Sequence, residues 1–173
     1  MENTMNTLES TMENTMNTQK YEITDIQHPQ FPQCRRVRRL SDGMLGGYIE
    51  NTHNLSQKGD CFVYDNAVVS GKAWVLGGAK VSGNARVSGN ALVSGNAWVF
   101  GGARVSNNAL VSGKAWVSGK SWVFDGALVC GNAFVSGKAW VFGGARVSGN
   151  TLVCGTAVVC GNDRVFGDDI VAE

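Results

Sequence analysis

Side chains able to do acid–base or metal chemistry are scarce in this sequence. Its only histidines are His28 and His53. A general base must have a pKa near the working pH, and His53, within Asn51-Thr52-His53-Asn54, is the sole candidate; its expected place is a solvated or capping position in a loop. The five cysteines are unevenly spaced, and reduced thiols are the simplest state for them. Arg35, Arg36, Arg38 and Arg39 form a basic cluster of the kind that neutralises phosphates. Yet residues 1–60 carry six basic and eight acidic side chains, residues 61–173 carry nine and six, and the formal net charge is +1. Neither region is a strong polyanion magnet, so solvated strand edges and arginines packed on tryptophan are expected rather than nucleic-acid binding. Without an acidic surplus, mimicry of DNA is excluded as well. The remaining chemistry is recognition by aromatic and arginine side chains, and their spacing decides how they are displayed.

That spacing is periodic. From Val63 to Val171, valine recurs at every sixth residue, nineteen times without a slip. Two residues before each valine stands a small residue, alanine at fourteen of the nineteen positions, with Cys61, Ser121, Thr151, Asp163 and Asp169 as the exceptions. The unit is A-x-V-S-G-N. Alternation along a strand sends Ala and Val to one side and x to the other, and the Gly-Asn, Gly-Lys or Gly-Gly pair that follows supplies a bend. Each hexad is therefore a short strand plus a corner. Three corners close a triangle, so eighteen residues make one coil, with successive coils about 4.8 Å apart. About six coils make a prism roughly 30 Å long. A cross-section this small accounts for Ala alternating with Val, since a larger side chain would overfill it. Each buried valine contributes on the order of 1.5 kcal/mol, and the series can offset the ordering entropy.

This pattern over residues 61–173 resembles the hexapeptide-repeat, left-handed parallel β-helix superfamily. The expected fold is all-β: a triangular solenoid with a short N-terminal capping segment. The left hand comes from the resemblance alone, because the general preference for right-handed crossovers argues the other way. Upstream, Leu45-Gly46-Gly47-Tyr48-Ile49-Glu50, Asn54-Leu55-Ser56 and Gly59 to Ala67 resemble the leader of phage and prophage hexapeptide-repeat proteins. That resemblance implies a fold and a phage setting, with no established activity. Hexapeptide-repeat acyltransferases use a histidine base beside a loop that interrupts the repeats, whereas these repeats run uninterrupted. Carbonic anhydrases of this superfamily bind zinc with three histidines, and two are present. The fold is therefore expected without that chemistry, with no cofactor and no bound metal.

The chain divides into residues 1–20, 21–60 and 61–173. In the first, Met1–Thr7 is repeated at Met12–Thr18 with almost nothing apolar to bury, and a disordered tail is expected. The second has strand-like runs at Tyr21 to Ile26 and Arg36 to Leu40, broken by Pro29 and Pro32, and is expected to cap the first coil. At the far end Asp163, Asp168 and Asp169 make the last coil too polar to accept another molecule end to end.

The eighteen-residue coil sorts the outward x positions into three faces. The first stacks Phe62, Lys80, Trp98, Trp116, Phe134, Leu152 and Ile170; the second Val68, Arg86, Arg104, Trp122, Trp140 and Val158; the third Trp74, Leu92, Leu110, Leu128, Arg146 and Arg164. Columns this apolar exceed what a monomer leaves bare. The expected coverings are self-association as a dimer or trimer through Trp74, Leu92, Leu110 and Leu128, and a partner protein on Trp98, Trp116 and Phe134 or on Arg86, Arg104, Trp122 and Trp140. A third covering is the leader folded back over one face. Cys130, Cys154 and Cys160 fall on three different corners and Cys61 points inward, so no aligned disulfide or zinc set arises. The outward columns also lack the paired threonines of ice-binding helices. With no membrane span and no secretory signal in the sequence, the expectation is a cytoplasmic, non-enzymatic protein-binding solenoid, phage-encoded and engaging a host defence complex. An acyltransferase-like enzyme and a purely structural oligomeric scaffold are the alternatives.

Overall fold

A computed structural model describes residues 19–172, so the repeated N-terminal segment, expected as a disordered tail, lies outside the described residues. From Phe62 onward each A-x-V triplet forms a two- or three-residue rung whose Ala and Val are almost completely buried while x faces outward. Rungs pair in parallel with those eighteen residues away, as in Trp98 with Trp116 and Val99 with Val117. Each rung donates toward the following coil: Trp98 N–H to Ala115 O and Phe100 N–H to Val117 O, both 2.9 Å. The corners join this ladder too, with Gly102 N–H donating to Gly119 O at 2.7 Å. The result is an all-β parallel solenoid of three sheets and about seven turns.

The corners explain the glycines. Gly137 has φ +67°, and a Cβ there would lie 2.6 Å from the carbonyl oxygen of Gly155 in the next coil. Where glycine is missing from this position the substitutes are Asp65, Asn107 and Asp125, at φ 55°, 57° and 54°, the residue types that best tolerate left-handed backbone. Asparagines at the corners also ladder from coil to coil, Asn132 Nδ2 donating to Asn150 Oδ1 at 2.9 Å and Asn150 Nδ2 to Asp168 Oδ1 at 2.8 Å.

Exceptions to the inward alanine are chemically consistent. Ser121 Oγ donates to Ser118 O at 2.7 Å and Thr151 Oγ1 to Ser148 O at 2.6 Å, so each buried hydroxyl finds a carbonyl three residues back. In the last described coil two backbone N–H groups beside the rungs are taken by carboxylates. Asp163 accepts from Cys160 N–H at 3.3 Å and Asp169 from Phe166 N–H at 3.4 Å, so these carboxylates satisfy backbone donors in addition to adding polarity.

Upstream, β1 (Tyr21–His28) and β2 (Phe31–Arg39) form an antiparallel hairpin, and β2 pairs antiparallel with β3 (Leu45–Ile49). β3 already belongs to the solenoid, since Ile49 pairs in parallel with Val69 and Leu55 with Val75. Both separations are twenty residues, against eighteen in later coils. The two extra residues lie between Leu55 and Val63, which is why a search for the period of six begins at Val63. β3 can lie this close because Gly46 and Gly47 have no side chains; a Cβ on Gly46 would meet Val63 O at 2.5 Å. Buried Asn54 latches the first coil, donating to Gly71 O at 3.0 Å and Ala73 O at 2.8 Å and accepting from Asn51 N–H at 2.8 Å.

Because rung N–H groups point toward later coils, carbonyls are left over at the N-terminal end. Tyr21, almost fully buried, plugs that end and directs its hydroxyl at Leu55 O, 2.6 Å, and Thr52 O, 3.0 Å. Lys20 Nζ donates to Cys61 O at 2.7 Å and Gly59 O at 3.1 Å. Burial, reinforced by Cys61, pushes the Tyr21 hydroxyl up to about 12.

Candidate functional site

The three outward columns stand in the register that the coil length implies. On the first face Lys80, Trp98, Trp116, Phe134 and Leu152 occupy consecutive rungs. The rings pack on one another: Trp98 and Trp116 edge to face at 5.3 Å, Trp116 and Phe134 tilted at 4.8 Å. Phe100, a corner residue, joins them at 5.1 Å from Trp98 and 5.8 Å from Trp116. Trp98 Nε1–H donates to Ser82 Oγ at 3.1 Å. The ridge therefore partly buries itself, leaving Phe134 at 37% exposure while Trp98 and Trp116 are half-buried.

On the second face Val68, Arg86, Arg104, Trp122, Trp140 and Val158 follow in register. Trp122 and Trp140 stack in parallel, 5.3 Å apart and 5° from coplanar, and the Arg104 guanidinium lies 4.8 Å over the other side of Trp122. Trp140 remains 43% exposed. Beside them the corner rings Phe124 and Phe142 stack at 4.9 Å. At the N-terminal end the hairpin tip folds over this face. Phe31 packs with Cys34, Tyr48 and Val68, and Arg86 stacks on Phe31 at 4.7 Å. Of the three coverings considered, folding back of the leader thus occurs in part: it covers Val68, reaches Arg86, and stops short of Trp122. Phe31 and His28 carry no periodic signal and were missed, because their place on this face depends on where the hairpin lands.

On the third face Leu92, Leu110 and Leu128 are half-buried and Trp74 is 50% exposed. Three of the four arginines clustered in β2 pair with nearby carboxylates: Arg38 with Glu22, Arg39 with Asp42 at 2.5 Å in the turn after β2, and Arg35 with Asp25 at 3.9 Å. The Arg39 hydrogen bond holds the Asp42 carboxyl down at about 2. His53 Nε2 lies 3.0 Å from Gly71 O at a corner. All five cysteines are free, and among the described residues no group of three or more His, Cys, Asp or Glu side chains is placed to hold a metal ion. No helix of the described residues is long and apolar enough to cross a membrane.

A family model described as the YdcK β-solenoid repeat matches residues 62–77, 79–95, 85–101 and 103–119, the stretch in which all three faces begin. The match covers about a third of the chain and agrees with the β-solenoid fold of the rungs. The solenoid's matched repeats contain Trp74, Leu92, Trp98, Leu110 and Trp116 at their outward positions. No protein of curated function matches the sequence.

Proposed function

We propose that this solenoid is a non-enzymatic binding protein that holds another protein against its aromatic first face, with Trp122 and Trp140 of the second face adjoining. The observation that carries this reading is the ridge of Trp98, Trp116 and Phe134 in consecutive rungs on a backbone whose core is complete without them. Trp and Arg are the residue types that most often dominate binding energy at interfaces. The leader's resemblance to phage proteins supports a partner in a host complex, such as a defence system, met in the bacterial cytoplasm. Replacing Trp98 and Trp116 together with Ser tests the reading. The parent solenoid captures a saturable protein partner from host extract, and the folded double variant loses that partner; retention of full capture would refute the site.

A second reading has its own observation. Trp74 at half exposure, followed in register by Leu92, Leu110 and Leu128, forms an aliphatic seam suited to a second copy of the chain. Self-association there leaves the first face free, so both readings can hold in one molecule.

A further inference from the structure

The repeat does not account for the cleft beneath the hairpin tip. It is about 320 Å³ in volume and lies among Phe31, Arg86, Arg104 and Trp122, with Ser70, Ser88 and Ser106 along one side. A second hollow of about 290 Å³ adjoins the first across Arg86, sharing Val68 and Arg86 with it and bounded by His28, Tyr48, Asn66 and Asn84. The two arginines occupy neighbouring rungs, yet each leans on a ring in the opposite direction, Arg86 on Phe31 and Arg104 on Trp122. The space between them is therefore left open. Among the described residues neither guanidinium has a carboxylate partner; the ion pairs all lie within residues 22–42. The wider setting is just as one-sided: residues 66–162 hold eight basic side chains against the single carboxylate of Asp125, and Asn107 donates a hydrogen bond to that carboxylate.

The roof is fixed by hydrogen bonds. His28 Nδ1 accepts from Gln30 N–H at 3.1 Å and Phe31 N–H at 3.2 Å, which leaves the ring proton on Nε2. Burial, with Arg86 and Arg36 adding to it, pushes His28 below its ordinary pKa, so the ring is neutral at pH 7. Gln30 Oε1 accepts from Arg86 Nη2 at 3.3 Å and ties the roof to the floor.

We propose that these two adjoining hollows together bind an organic phosphate bearing a planar ring, of the size of a nucleoside monophosphate. The phosphoryl oxygens lie between the Arg86 and Arg104 guanidiniums and face the serine hydroxyls, where charge-assisted bonds are strongest. The Tyr48 ring is covered by Arg36 at 4.9 Å and His28 at 4.7 Å, so the planar ring lies in the adjoining hollow against His28 and Pro29, with the Asn66 and Asn84 amides able to read its polar edge. A single nucleic-acid strand is the weaker match, because the broad faces of Trp122 are already taken by Arg104 and Trp140, leaving little platform for successive bases.

Titration calorimetry and tryptophan fluorescence on the full chain test this with adenosine, guanosine and uridine monophosphates, inorganic phosphate and free adenosine. At least one monophosphate should bind saturably at one site per chain, more tightly than phosphate or adenosine alone. Arg104→Gln, at an exposed side chain, should weaken it by about tenfold or more, the loss expected for a charged hydrogen bond, while Arg146→Gln on the third face should leave it unchanged. The Trp98→Ser/Trp116→Ser variant should also bind normally, which separates this site from the protein-docking reading. Absence of binding by all three monophosphates, equal affinity for adenosine, an undiminished Arg104→Gln variant, or binding of an oligothymidylate in place of mononucleotides would each overturn the assignment.

Discussion

At the scale of single residues the solenoid is unforgiving inward and permissive outward. Val99 is fully buried between Val81 and Val117. Val99→Asp places an unpaired carboxylate in a cross-section filled by Val and Ala side chains and should cost more than about 4 kcal/mol; chemical denaturation followed by circular dichroism should show loss of the cooperative transition. Corners are equally exacting where φ is positive. Gly137→Ala combines a left-handed φ with a Cβ 2.6 Å from Gly155 O, and should cost at least roughly 1–2 kcal/mol, read as a lower denaturation midpoint. The same change at outward, exposed Arg146 should leave the midpoint near the parent value.

Among the elements, the cap and the first-face ridge behave differently. The Tyr21 hydroxyl has a folded pKa of about 12 against an ordinary 10.0, so the folded state favours its protonated form. The stability this contributes is complete below pH 10 and is lost as pH rises through about 12. Cys34, raised by burial and then by Glu50 from 9.0 to about 11, acts in the same direction over a slightly lower window. Alkaline titration should therefore loosen the hairpin and first coil before the central coils, seen as early loss of hydrogen-exchange protection in residues 21–55. Tyr21→Phe should remove part of this sensitivity while weakening the cap at neutral pH. The ridge is an outer layer on a finished core. Each lost ring pair is worth about 0.5–1.5 kcal/mol, so Trp98→Ser/Trp116→Ser should lower the melting temperature moderately and keep the β-sheet circular dichroism spectrum.

For the whole molecule, charge and apolar surface are segregated. Described carboxylates concentrate in the hairpin, the first coil and the last coil, and the body between is cationic with aromatic and leucine columns. The leucine seam predicts association: sedimentation of the parent at micromolar concentration should show a dimer or trimer. Leu110→Glu, at the centre of the Leu92, Leu110 and Leu128 ladder, should shift it to monomer without changing the inward Val and Ala. A parent that sediments as a monomer would refute the seam as an interface.

What the sequence determined alone is everything the strict period controls. Nineteen valines in register with alanine two residues before each fix which side chains point inward and which rungs are neighbours, so the membership of all three faces was legible residue by residue. The reason is that a solenoid contacts only its adjacent coils, and one repeat length converts sequence distance into spatial distance. Tertiary structure decided what breaks the period. The two-residue expansion between Leu55 and Val63 hid the first rungs at Ile49 and Leu55, and the corner residue Phe100 was drawn into the ridge by ring packing that no spacing rule encodes. The landing of the β1–β2 hairpin on the second face was invisible for the same reason. It depends on Tyr21 reaching the orphan carbonyls of Thr52 and Leu55 and on Phe31 reaching Val68 and Arg86, contacts between segments with no common repeat. Those long-range contacts turn a flat column of Arg86 and Arg104 into a roofed cleft.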